Sequence, residues 1–526
     1  MPRRSRKHSH VNIKSSYLSK GLDLSSFPSQ IHDESLTRAY NVWYTLNTAS
    51  GLENRYGLER VYFNESPLPI TDKIIKVYNH IDNEGIAHLL VVTHAELSDY
   101  DTLYELKDGQ YTYITQLNNQ NGLPPSIISF NGVLLIADGG EQGLLAWDKK
   151  GVQTIQDSPT KATVIISHAD RVVCNSLTSP DSVFFSEPEQ YDKWALIEGG
   201  NAVIIPAGFG EGMEINAFSS LYGSLIVSKV HKDEQGFITE KKMHLISTQG
   251  TTADWQAVSL SHTSSACSHD SMLGVLDKVY LIDTDGVQLI VPSPAGAYGD
   301  IAIDTKQTNK TLPLINLYLK DLFSAEVVYM SSLGQVWFTL NTSSTVKTIV
   351  YSLVNNAWSE LEFPLKYNSI CEIDNKIYIG GHDGRLYYLT ATGQDWTEQG
   401  YQDIYSTIRT KLYEQMGGDI ILKAVKLSLG RMKPSLLKIE AVGEDEKRYL
   451  VKEVNTQLTG SSDQLIYDAN QKIDTADWKI YCGNAIVKQY FDYKANVRAT
   501  GLYIQVRIVG GRVIINSISG LFAQVG

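Results

Sequence analysis

The amino-acid sequence predicts an all-β protein: a β-propeller of six or seven blades with an additional β-sandwich-like platform domain. Three observations carry that reading. From about residue 85 short β-rich runs punctuated by Gly, Asp and Asn follow one another with scarcely a helical period between them. The runs start roughly 40 to 57 residues apart, the spacing of propeller blades and related arrays. Past residue 400 the runs lengthen and alternate apolar with polar residues, as a half-buried sandwich sheet requires.

Taken in order, residues 1–20 are polar and crowd Arg3, Arg4, Arg6 and Lys7 at their start, the composition of a flexible basic arm. Residues 21–70 include the apolar-aromatic NVWYTL (41–46), which needs a buried partner, and are expected to pack with the C-terminal platform. The propeller is assigned to residues 71–400. Its repeating unit is a strand entered by a Gly or Asn turn, a polar hairpin tip, a second strand and often a closing aromatic. Examples are HLLVVTHAELSDYDTLYEL (88–106), NGVLLIADGGEQGLLAWDKKGVQTI (131–155), DKVYLIDTDGVQLIV (277–291), QVWFTLNTSSTVKTIVYSLVNNAWSEL (335–361) and NKIYIGGHDGRLYYL (375–389). Such a unit cannot bury both faces alone and must stack on its neighbours, so Trp147, Trp358 and Trp396 are expected between blades. Residues 401–526 form the platform, where VRIVGGRVII carries a Gly-Gly hairpin turn.

Composition narrows the function. A formal charge of −12 argues against wrapping nucleic acid through a basic face, and 30 Tyr favour strands. The four cysteines, Cys174, Cys267, Cys371 and Cys482, are scattered singly, with the spacing of neither a zinc site nor a disulfide framework. The basic start is followed by no apolar h-region, and no run approaches about 18 apolar residues, so a chain made in a cytoplasm and without a membrane span is expected.

Neither a GxxxxGK phosphate loop nor HExxH, GxSxG or a complete EF-hand loop occurs. IDTDGVQL (282–289) begins like a calcium loop but lacks the later ligands and reads as a hairpin turn at Asp285-Gly286. Acids such as Glu211, Glu214, Asp233 and Glu234 read as solvated faces. His168, His231, His262 and His269 show no ligand spacing. The expectation is a protein that is not an enzyme, with no catalytic, metal or cofactor residue and no cofactor. Paired carboxylates for glycan cleavage remain invisible at this level, because their separation is spatial.

The stretch SPDSVFFSEPEQYDKWALIEGGNAVIIP (179–206), followed by EINAFSSLYGSLIVSK (214–229), resembles the propeller core of the head-completion, DNA-stabilisation and tail-nozzle proteins of short-tailed bacteriophages. GLYIQVRIVGGRVIINSISGLFAQVG (501–526) looks like the closing strands of that family, and NVWYTLNTASGLENRYGLERV (41–61) is similar to its N-terminal segment. The resemblance implies a structural virion protein, made in the host cytoplasm and mounted in the phage tail. It would form a homo-oligomeric ring of six copies below the portal and adaptor proteins, enclosing the DNA ejection channel and carrying tail fibres or a needle. Viral DNA would only pass through it, and an acidic wall would repel rather than grip the phosphates. Arg3, Arg4, Arg6 and Lys7 would then contact a neighbouring subunit or adaptor. The alternative is a glycan-binding or glycan-cleaving propeller of a phage tail.

Overall fold

Seven four-stranded antiparallel units follow one another along the chain, six as separate sheets and the one at 322–361 as the start of a larger sheet. The protein is represented by a computed structural model that describes residues 10–12, 16–44, 46, 51–62, 72–119, 124–234, 236–260, 264–292, 301–319, 322–342, 345–414, 418–433, 435–455 and 487–525. The first strand of each unit lies innermost: Lys73–Ile81, Ser126–Phe130, Ile165–His168, Glu214–Leu221, Met272–Val275, Leu322–Met330 and Tyr367–Ile373. Each touches the next and the last returns to the first, which closes a seven-bladed propeller, numbered blades 1 to 7 in chain order.

Local chemistry explains the blades. In blades 2, 3, 4 and 7 the first and second strands are joined by two-residue turns in left-handed backbone, such as Asn131-Gly132 (φ 47° and 74°) and Asp374-Asn375 (48° and 62°). Such turns match the twist of the flanking strands. Apolar side chains of neighbouring blades interdigitate. Leu90 and Leu103 of blade 1 meet Leu134 and Trp147 of blade 2, and Val173 and Phe185 of blade 3 meet Phe218 and Val227 of blade 4. Around the axis, amides bridge the inner strands: Asn79 Nδ2 donates to the Glu372 carbonyl at 3.0 Å and Asn368 Nδ2 to that of Ile74 at 3.0 Å.

Blade 7 is completed from far away. Its fourth strand is Gly57–Arg60, paired Tyr387↔Arg60 through Thr390↔Gly57. The whole of 21–70 was expected beside the platform, and these four residues depart from it. Leu58 is buried in one cluster with Trp337 of blade 6 and Ile377 and Leu389 of blade 7.

The platform is two packed sheets. One runs Val487–Ala499, Asp419–Lys433, Arg512–Val525, Leu52–Asn54, Val42–Trp43. The other contains Ser35–Tyr40, Tyr405–Thr410, Gly501–Val509, Leu436–Gly443 and Arg448–Asn455. Leu422, Leu427, Ile515 and Phe522 of the first face Ile439, Ile504 and Val506 of the second. Through Gly21–Leu22 and Ser35–Tyr40 the second sheet continues into the outer strand of blade 6, Ala357–Leu361. Gly21 sits at φ +61°, and a Cβ there would meet the Trp358 carbonyl oxygen at 2.6 Å, so this junction requires glycine. Trp358 is fully buried in the same core.

Arg55 pins the junction from the other side. It is 2% exposed, pairs bidentately with Asp395 (2.8 and 2.6 Å), donates from Nε to Asn41 Oδ1 at 3.1 Å and lies over the Phe363 ring. Asp395 belongs to the hairpin Gln394–Thr397/Gly400–Asp403 that leads from blade 7 to the platform, and Trp396 packs there on Tyr387 rather than between blades.

Candidate functional site at the propeller axis

Charged side chains gather at the end of the channel where the inner strands begin. Lys76 stands at a register shift in the inner strand of blade 1, and a bulge of this kind re-aims a side chain. Asp270 lies in the single turn His269–Ser271, set by Ser268 just before the inner strand of blade 5. Lys76 Nζ meets Asp270 Oδ1 at 2.5 Å, and His269 Nε2 lies 3.2 Å from Asp270 Oδ2. Blades 1 and 5 are not neighbours, so this ion pair crosses the channel.

Glu326, from the inner strand of blade 6, completes the cluster. Its Oε1 accepts from Ser369 Oγ at 2.8 Å and its Oε2 from the Ile370 N–H at 3.0 Å, while Ser369 Oγ accepts from the Val77 N–H at 3.2 Å. Burial, with the Asp270 carboxylate nearby, pushes the Glu326 carboxyl up to about 8 against the pull of Lys76. Burial also acts to raise Asp270, but His269 and Lys76 outweigh it and hold that carboxyl well below the usual range. At neutral pH one carboxyl is therefore neutral and the other neutralised, and each already accepts from a protein donor.

Beside this cluster a cavity of about 230 Å³ is lined by Glu214, Asn216, Lys232, Cys267 and His269. Glu214 is paired there with Lys232 at 3.4 Å. Burial pushes the Cys267 thiol up to about 12, so it is not a thiolate nucleophile at neutral pH.

The other sequence-level residues fall as follows. Arg3, Arg4, Arg6 and Lys7 lie outside the described residues, as do His262 and Cys482. Glu211 is not a solvated acid: it bonds Lys242 and sits 3.1 Å from His244 Nε2, under a loop that the fully buried Lys229 ties to Asp181. His168 is buried, bridging Ser220 Oγ (2.7 Å) and Thr248 Oγ1 (2.8 Å), and burial lowers it to about 4. Asp283 and Gly286 face each other across a hairpin turn, and the Asp283 carboxylate takes Lys241 at 2.9 Å. Among the described residues no group of three or more His, Cys, Asp or Glu is placed to hold a metal ion, and no helix is long and apolar enough to cross a membrane. Sequence reasoning missed Lys76, Asp270 and Glu326. The available signal was a single charge inside an apolar strand, as in KIIKVY and AEVVYM.

A second feature is one end of the platform, where among the described residues two strands have no further pairing partner. Arg448–Asn455 and Val487–Ala499 are terminal strands of the two sheets and lie side by side. Tyr449 and Leu450 are 39% and 59% exposed there.

No protein-family model matches the sequence, and no curated protein matches it. Solved structures do resemble the chain. BamB from Moraxella catarrhalis is 10% identical with a TM-score of 0.36, over 72% of this chain and 97% of that one. The β-propeller domain of Swd1 from Myceliophteria thermophila is 11% identical with a TM-score of 0.38, over 63% and 98%. The shared feature is the propeller. An exo-β-1,3-galactanase from Phanerochaete chrysosporium, 9% identical with a TM-score of 0.26 over 72% and 100%, adds nothing beyond it.

Proposed function

We propose that the chain is a structural subunit of a short phage tail, the nozzle or hub ring, in six copies, that encloses the DNA ejection channel below portal and adaptor. The observation that carries the reading is the pair of strands Arg448–Asn455 and Val487–Ala499 at one end of the platform, each at the edge of its sheet among the described residues. A closed propeller has used its inner edges, whereas a sheet edge with free N–H and C=O groups is a ready contact for a neighbouring copy. The sequence resemblance supports the same reading: 179–206 and 214–229 cover strands of blades 3 and 4, and 501–526 covers the central strands of both platform sheets.

On this reading DNA passes through the lumen of the ring, since the Lys76–Asp270 pair spans the axis of the propeller itself. A net charge of −12 suits a wall that phosphates slide past. Electron microscopy and native mass spectrometry of the purified chain test the proposal. A closed ring that loses assembly on Leu450→Glu while the chain keeps its melting temperature is the expected result. A persistent monomer, or turnover of a polysaccharide by the pure protein, would overturn it.

A further inference from the structure

On the rim of the propeller, between blades 2 and 3, the long connection 186–202 folds back over the outer strand Val152–Thr154 and leaves a groove of about 420 Å³. Its apolar wall is Tyr191 and Trp194, the latter 7% exposed and fixed by Nε1 donating to the Tyr191 carbonyl at 2.8 Å. Its charged lining is Asp157, Glu187 and Asp192 against Lys193 alone. Asp157 and Asp192 are exposed and Glu187 is half-buried, and among the described residues none of the three takes part in an ion pair.

We propose that this groove receives the basic N-terminal arm, Arg3, Arg4, Arg6 and Lys7, of a second copy of the chain, an inference that rests on the ring reading above. Charge complementarity selects the occupant. Guanidinium groups pair with carboxylates and stack on aromatic faces, and the groove offers carboxylates and the partly exposed Tyr191 ring, with a surplus of negative charge. Position selects the copy. The first described strand, His10–Asn12, pairs with Leu521–Ala523 on the platform, which joins the propeller at blade 6. The groove lies between blades 2 and 3, three blades away from blade 6 in either direction and so on the far side of the ring of blades. The nine residues before His10 span at most about 30 Å when fully extended, so a chain's own arm starts from the wrong side. In a head-to-tail ring the platform side of one subunit faces the opposite side of the next, and the neighbour's arm starts beside the groove.

The test uses full-length protein with Arg3, Arg4, Arg6 and Lys7 changed to Gln, so that its grooves are free, and a fluorescent peptide of residues 1–12. Anisotropy is expected to show binding that weakens with salt and falls about tenfold or more on Asp157→Asn, Glu187→Gln and Asp192→Asn together, with an unchanged melting curve. Equal binding to this neutral groove, or no binding to the original one, overturns the inference whether or not rings form. Native mass spectrometry separates the two readings: a monomer that binds the peptide in the groove keeps this site and removes the ring. A neutral oligosaccharide that binds there while the peptide does not would replace the occupant and overturn the proposal.

Discussion

Glu326 is an acid kept neutral by its surroundings, and the sign of its effect on stability follows from that. Its carboxyl stands at about 8 in the folded chain against an ordinary 4.5, so between those values the folded state holds a proton that the unfolded state has released. Stability therefore falls as pH rises through this window. Gln can keep both bonds, accepting from the Ile370 N–H and donating to Ser369 Oγ. Glu326→Gln is expected to gain stability relative to the parent from pH 5 to pH 9, and parallel melting curves at both pH values would contradict the neutral state. Lys76→Met is expected to cost about 1.5–3 kcal/mol in chemical denaturation, since it leaves Asp270 with His269 alone. Only the charges inside KIIKVY and AEVVYM were legible in the sequence, and not the cluster they form. Lys76, Asp270 and Glu326 lie on three separate blades, and their meeting is a product of ring closure.

At the level of elements, the hairpins were readable because their causes are local. A turn such as Asn131-Gly132 or Asp374-Asn375 needs residues that tolerate positive φ, and the strands beside it need only β-forming side chains. Gly57–Arg60 was not readable as part of the propeller, because its partner Leu386–Thr390 lies more than three hundred residues later and nothing in GLER names it. Yet this strand is what closes the ring. Leu58 is 1% exposed, and its N–H donates to Asp395 Oδ1 at 3.0 Å. Leu58→Ala is expected to cost about 2–5 kcal/mol by leaving a cavity between blades 6 and 7. Hydrogen exchange should then rise first along Leu386–Thr390. Protection unchanged in that strand would mean that the ring closes without Gly57–Arg60.

For the whole molecule, the sequence suggests two domains divided near 400, where the hairpin Gln394–Thr397/Gly400–Asp403 runs from the blade 7 strand Leu386–Thr390 to the platform strand Tyr405–Thr410. Pairing makes that boundary porous. Blade 6 and one platform sheet are a single hydrogen-bonded sheet, and one core contains Tyr280 of blade 5, Phe338 of blade 6 and Ile504 of the platform. Arg55 and Asp395, both nearly buried, tie the segment entering blade 7 to the hairpin leaving it. Domains joined by a small polar interface melt separately, whereas those sharing a sheet and a core lose both together. Calorimetry is therefore expected to show one transition, with tryptophan fluorescence and far-ultraviolet circular dichroism coinciding. Gly21→Ala probes the junction itself, because the new methyl group would press on the Trp358 carbonyl oxygen in a left-handed backbone. It is expected to lower that single transition by about 1–3 kcal/mol without splitting it. Two resolved transitions in the parent protein, or a Gly21→Ala variant in which only the platform melts early, would show that the propeller and the platform fold as separate units.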